Sequence, residues 1–171
     1  MKRSHCIQQK YLHFLLALGL WSVTTLILAG SCTVSSGGMA FGTYQPLTLE
    51  GKWLSTSKTS SATVSVVCTS IAVGGSYTLS LGPSNYGSGN RIATRYLNNN
   101  ANGGDLMVFN VFTDPSHTAI WGGSGSLLSG TIGHGDSNQS HTVYGQVPAG
   151  QNTLKAGNFS DSLLMTLRYE P

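Results

Sequence analysis

The chain has 171 residues, enough for one domain, and its nine lysines and arginines outnumber its six aspartates and glutamates to give a formal net charge of +3. Lys2, Arg3 and Lys10 carry this excess, because they stand together at the N-terminus before every acidic residue. The rest of the chain is close to neutral. This balance excludes the strongly basic surface that nucleic-acid binding requires, so nucleic acid is not an expected partner.

The first predicted element is a secretory signal peptide over residues 1–30. Its basic start is followed by the apolar stretch 14–28 and by small residues at 29–31, which suit cleavage by signal peptidase. The apolar stretch, about fifteen residues, is shorter than the roughly twenty that span a bilayer, and Thr24 and Thr25 interrupt it. We therefore expect export with cleavage, and no membrane anchor after processing.

Export determines how the cysteines are interpreted. Cys6 belongs to the signal peptide, so Cys32 and Cys68 remain as an even pair in an oxidising compartment, which favours a disulfide. Such a bridge closes a loop of about 36 residues and contributes on the order of 3 to 4 kcal/mol in the chain-entropy model. The alternative is a lipoprotein with a lipidated Cys32, although residues 29–31 fit that signal poorly and Cys68 would then be unpaired.

Beyond Cys32, short alternating runs bounded by Gly, Ser, Asn and Pro predict an all-β domain over residues 31–171. The clearest of the predicted strands are 62–69, 76–81, 106–112, 141–147 and 162–169. The run 106–112 is apolar on both faces, so we expect it at the centre of a sheet. The predicted turn regions are 82–90, 98–104, 122–125 and 133–140.

The last predicted strand has a clear apolar face. Alternation places four side chains inward, namely Leu163, Met165, Leu167 and Tyr169. An immunoglobulin-like sandwich needs about seven strands, and the sequence predicts about six. The sequence printed here ends at Pro171, directly after this strand.

No pattern in the sequence predicts catalysis. A hydrolase would need a nucleophile on a strained turn, and the G-x-S-x-G elbow is absent from the sequence. His117, His134 and His141 lie in glycine-rich or loop-like stretches without metal-ligand spacing, and Asp114 before Pro115 is predicted to cap a turn. We expect no catalytic residue, metal or cofactor, and an exported hydrolase is the last of the functions considered.

Seven stretches carry a family resemblance. They are SCTV at 31–34, FGTY at 41–44, VSVVCTS at 64–70, YTLSL at 77–81, LMVFNVFTDPSHTAIWG at 106–122, TVYGQVPAGQ at 142–151 and AGNFSDSLLMTLRY at 156–169. In this order they resemble the spore coat protein U family, the subunit domain of archaic (Csu-type) chaperone–usher pili. The combination of TDPSHTAIWG, VYGQVPAGQ and FSDSLLMTLRY makes the resemblance specific.

The resemblance implies an incomplete immunoglobulin-like β-sandwich that lacks its last strand. The gap would leave a hydrophobic groove lined by Leu163, Met165, Leu167 and Tyr169. It would accept a strand first from a periplasmic pilus chaperone and then, at the outer-membrane usher, from a neighbouring pilin subunit. The resemblance also pairs Cys32 with Cys68. It implies a non-enzymatic subunit of a surface pilus that supports adhesion and biofilm formation.

The N-terminus departs from that pattern, because family subunits that polymerise carry a donor strand of ten or more residues before the first cysteine. A cut at 29–31 leaves almost nothing before Cys32, so the subunit could accept a strand but donate none, as expected at a pilus tip. A cut near Gly19 would leave SVTTLILAG at 22–30 as a donor. The alternative function is a secreted carbohydrate- or surface-binding β-sandwich module that folds alone.

Overall fold

The computed structural model describes residues 30–46, 48–49, 52–53, 56–101, 104–123 and 125–171, so almost all of the predicted signal peptide lies outside the described residues. The described part is built of strands and contains no helix, which confirms the all-β prediction. The strands are β1 (Ser31–Ser36), β2 (Thr48–Leu49), β3 (Lys52–Trp53), β4 (Lys58–Ile71), β5 (Gly75–Leu81), β6 (Arg95–Asn99), β7 (Leu106–Phe112), β8 (Leu128–Ile132), β9 (Gly135–Val147), β10 (Phe159–Ser160) and β11 (Met165–Glu170).

The strands form two antiparallel sheets of unequal size. The larger has six strands in the order β1-β4-β9-β7-β6-β10, and the smaller has three in the order β11-β5-β8. A short pair, β2 and β3, forms a two-stranded sheet of its own. The core forms where alternate side chains of both sheets are withdrawn from water, as for Val64 and Val66 in β4 and for Tyr77 and Leu79 in β5, all at most 1% exposed.

A disulfide joins the edge strand β1 to β4. Cys32 and Cys68 lie directly opposite each other in the β1–β4 register, with their Cα atoms 4.0 Å apart. The bond confirms the predicted pairing. Because it joins partners within one ladder, it fixes β1 to a single register on β4.

A buried arginine connects the two sheets. The Arg95 side chain in β6 is 0% exposed, and it donates hydrogen bonds to the carbonyl oxygens of Leu81, Gly82 and Trp121 at 2.8–3.0 Å. A further bond of 2.6 Å reaches the Asn110 side chain in β7. Burial lowers the pKa of Arg95 to about 10. These carbonyls satisfy the guanidinium donors that would otherwise be costly to bury.

Several predicted strand bounds are shorter or longer than observed, and two predicted turn regions are partly strand. Residues 133–140 were predicted as a turn region, but Gly135–Ser140 form the first half of β9 and pair with the far end of β4. The segment is polar on both faces, so alternation does not reveal it. In the predicted turn region 98–104, Asn98 and Asn99 still belong to β6, and Asn99 is fully buried.

Candidate functional site

The smaller sheet does not cover the larger one. Neighbouring strands are spaced about 4.8 Å apart, so three strands span only about half the width of six. β11 lies at the edge of the smaller sheet and pairs on one side with β5, from Met165 opposite Leu81 to Glu170 opposite Ser76. Among the described residues, no strand pairs with its other side. The backbone groups of β11 on that side are available to another strand.

The inward face of the last strand is apolar and only half-buried. Leu163, Met165, Leu167 and Tyr169 alternate with exposed residues and pack against the core cluster. Leu164 points the opposite way and is 73% exposed. Half-burial distinguishes these four side chains from Leu79 in the neighbouring β5, which is 0% exposed. The apolar side of β11 is therefore packed from one direction and open from another.

A cavity of about 1220 Å³ lies beside the start of β11. It is larger than the roughly 300–1,000 Å³ of a typical small-molecule site. Its floor is the inner face of the larger sheet, formed by Ala62, Val64, Leu97, Met107, Phe109, Val111 and Val143. Leu163 and Met165 line the cavity. Leu167 and Tyr169 lie on the same face of β11 but are not among the described residues that line the cavity. We call this cavity and the open edge of β11 the groove.

A segment without strand pairing, residues 37–46, covers part of the groove, and we call it the covering segment. Met39 and Phe41 point into the molecule and pack against the core. The Phe41 ring meets the Phe109 ring edge-on with centroids 6.1 Å apart. Both side chains rest on Gly145 of β9, where an added Cβ would overlap the Met39 sulfur and the Phe41 ring. Gly145 thus creates the space that they fill.

Tyr44 fastens the covering segment to the end of β9. Its hydroxyl donates to the Pro148 carbonyl and accepts from the Gln151 backbone N–H, both at 3.0 Å. The Gln151 side chain in turn accepts from the Val108 N–H at 2.6 Å and donates to the Val108 carbonyl at 3.0 Å. Its amide thus supplies to β7 the hydrogen bonds of a neighbouring strand. This contact gives the VYGQVPAGQ stretch a structural role that the sequence did not reveal.

The segment before β11 forms the other rim. Asp161 accepts hydrogen bonds from the Asn85 side chain at 2.9 Å and from the Asn85 backbone N–H at 3.3 Å. The Gly82 N–H donates to the Leu164 carbonyl at 2.8 Å. These contacts hold the chain where it enters β11 and so position Leu163 at the groove.

The histidines considered as catalytic or metal-binding residues are separated. His117 packs edge-on between the Phe112 and Tyr144 rings, and the His141 ring shares a 2.6 Å hydrogen bond with the Tyr77 hydroxyl. Asp114 caps its turn as predicted, accepting from Ala119 N–H at 2.6 Å and from Thr118 N–H at 3.1 Å. Across the described ranges no three His, Cys, Asp or Glu side chains come together as a metal site. The groove is therefore the candidate functional site.

One further property concerns membranes. Within the part of the chain that the structure describes, no helix has the length and apolar character needed to cross a bilayer.

Known proteins were compared with this chain at three levels. No match is found among the curated proteins. A solved structure of the CsuC–CsuE chaperone–tip adhesion subunit pre-assembly complex, from the archaic chaperone–usher Csu pili of Acinetobacter baumannii, resembles it with a TM-score of 0.46 and 16% identity. The alignment covers 81% of this chain but only 40% of that chain. The family model of the Spore Coat Protein U domain matches residues 17–166, and the chain belongs to this family.

Proposed function

We propose that this protein is a structural subunit of a chaperone–usher surface pilus and that it completes its sandwich by accepting a β-strand from another molecule. Membership of the Spore Coat Protein U family supports the pilus assignment. The observation that carries the strand-accepting role is the apolar cavity beside the side of β11 that no described strand pairs with. A strand added there would widen the smaller sheet from three strands to four.

The added strand would bind in two ways at once. Its backbone would pair with the open side of β11, and its alternate side chains would fill the cavity against Leu163 and Met165. Leu167 and Tyr169 would extend the contact along the same face. Because an apolar edge promotes aggregation, we propose that a periplasmic chaperone supplies the first strand and that a neighbouring subunit replaces it at the outer-membrane usher.

The N-terminal region would carry the targeting information. We propose that residues 1–30 form a cleaved signal peptide, that residues 31–171 form the pilin domain, and that the mature subunit supports adhesion and biofilm formation at the cell surface. The cleavage site decides the place of the subunit in the pilus. Mass spectrometry of the mature N-terminus tests it: a start at 29–31 gives a tip subunit, and a start near Gly19 gives one able to donate a strand.

A fused strand tests the acceptor role. Residues 22–30 are appended after Pro171 through a short flexible linker, so that the added strand can form a hairpin with β11. The matched control is the same fusion with Val23→Asp and Ile27→Asp made in the appended copy. We expect the first fusion to raise Tm by about 10 °C or more, because it adds apolar burial and backbone pairing that the unmodified chain lacks.

The control fusion should melt with the unmodified chain, which we expect to refold only to a species of low stability. A highly stable, cooperative monomer obtained without any added strand, and unchanged by the fusion, would contradict the proposal and favour a module that folds alone.

A further inference from the structure

We infer that the covering segment, residues 37–46, is an internal placeholder: Met39 and Phe41 occupy part of the groove in the unpartnered subunit, and an incoming strand displaces them. This inference rests on the proposed strand-accepting function. The covering segment would thus compete with the donor strand for the groove.

Met39 and Phe41 fit closely onto the sheet beneath them. Gly145 has its neighbours Ser60 and Val111 on adjacent strands, so it lies in the interior of the larger sheet, where glycine weakens a strand. Its missing side chain is the space into which the Met39 sulfur and the Phe41 ring fit. A side chain at this position would push the covering segment out of the groove.

The backbone on either side of Met39 and Phe41 bends at a glycine. Gly38 and Gly42 have φ values of +81° and +67°, which a residue with a side chain rarely adopts. A Cβ at either position would meet nothing within 4 Å among the described residues, so space does not explain these glycines. They bend the chain into and out of the groove on both sides of the Met39–Phe41 step, and they place two hinges where a displaced segment needs them.

The covering segment is held in a different way from an added strand. A donor strand would pair with β11 through a ladder of backbone hydrogen bonds, whereas residues 37–46 form no strand. Tyr44 attaches them through one hydroxyl that serves Pro148 and Gln151. Among the described residues the segment is held by side-chain packing and side-chain hydrogen bonds and not by a backbone ladder, which a donor strand would add, so the exchange favours the donor.

Methionine oxidation distinguishes the two occupants of the groove, because each has its own reporter. Met39 belongs to the covering segment and Met165 belongs to the groove wall, and a methionine-containing peptide added to every reaction is the reference. The full exported chain, the residue 22–30 fusion and its aspartate control are treated with dilute hydrogen peroxide. Peptide mass spectrometry then gives the rate at each methionine.

We expect opposite changes in the fused chain. Met165 should be oxidised about threefold more slowly because the added strand covers it, and Met39 should be oxidised about threefold faster because it has left the groove. Slower oxidation of Met165 with no change at Met39 would overturn the placeholder while leaving strand acceptance intact. No change at Met165 would remove strand acceptance itself, and the placeholder with it.

Tyr44→Phe tests the release step without a donor. Loss of the hydroxyl should raise the oxidation rate of Met39 about fivefold, the factor expected for one net hydrogen bond, while an unchanged near-UV circular dichroism spectrum reports an intact fold. Tyr86→Phe is the matched control, because Tyr86 is half-buried and is not among the described residues that line the cavity. An unchanged Met39 rate in Tyr44→Phe, with an intact circular dichroism spectrum, would show that the Tyr44 hydroxyl does not hold the segment and would overturn this release step.

Discussion

Among the described strands β1 and β11 both lie at sheet edges, and each pairs with one neighbour through six residue positions. β1 is bound covalently to β4, so its register is fixed whether or not another molecule arrives. β11 has no such bond, and its inward side chains border a cavity. Ladders of equal length therefore hold the two strands differently. β1 is fixed on β4 by a covalent bond, whereas β11 is held on β5 by backbone pairing and by packing that this chain supplies only in part.

The largest test removes the covalent part of this difference. Cys68→Ser should lower the free energy of unfolding by about 4 kcal/mol, because the unfolded chain regains the entropy of a loop of that length. The double variant with Cys32→Ser as well is the control for a free thiol and should lose a similar amount. Urea unfolding measures both. Retention of the parent stability in either variant would show that the disulfide contributes nothing to the stability with which β1 is held on β4.

A second test compares the closed core with the open face of β11. Leu79→Ala should cost about 3 kcal/mol with or without the fused strand, because Leu79 is 0% exposed and already packed on all sides. Leu167→Ala should cost only about 1 kcal/mol in the unmodified chain, where its side chain is half-buried.

Leu167→Ala and the fused strand, made separately and together, form a double-mutant cycle. In the fusion, the cost of Leu167→Ala should rise to about 2 kcal/mol, since the added strand completes the packing around it. Equal costs of Leu167→Ala in the two chains would mean that the strand lies elsewhere, whatever it does to Tm.

Where burial follows alternation, the sequence predicts the fold well. The strand at 106–112 was predicted with its observed bounds, the strand at 76–81 within one residue, and the inward set of the last strand matches the half-buried positions. In each case the apolar side chains themselves provide the reason for burial. The disulfide follows from residue type and compartment in the same way.

Where burial depends on a distant partner, the sequence is silent. β6 was missed because its two most buried residues, Arg95 and Asn99, are polar, and Arg95 is satisfied by carbonyls of Leu81, Gly82 and Trp121. The groove was implied only by family resemblance. Its shape depends on the relative widths of two sheets, and its cover depends on Gly145, whose role appears only when Met39 and Phe41 lie above it.

The smallest expected effect concerns the turn at 113–119, which follows β7 and does not line the groove in the described residues. The backbone N–H of Ala119 is the main reason why the pKa of Asp114 lies below its usual value, and Thr118 adds to it. A carboxyl whose pKa is lower in the folded state stabilises that state above its unfolded pKa of about 4, and the contribution fades as the pH falls through the folded value. Asp114→Asn should therefore lower Tm slightly at pH 7, by an amount that shrinks below about pH 4.

Because this turn does not line the groove in the described residues, the decrease in Tm should be the same in the fused and unmodified chains, unlike that of Leu167→Ala. Thermal unfolding from pH 3 to pH 7 measures both dependences. A Tm difference that stays constant down to pH 3 would mean that the carboxylate charge is not what the turn uses. A difference that changes with the added strand would mean that the turn and β11 are energetically coupled. The contrast between a covalently fixed edge strand and an open one would then not describe these regions adequately.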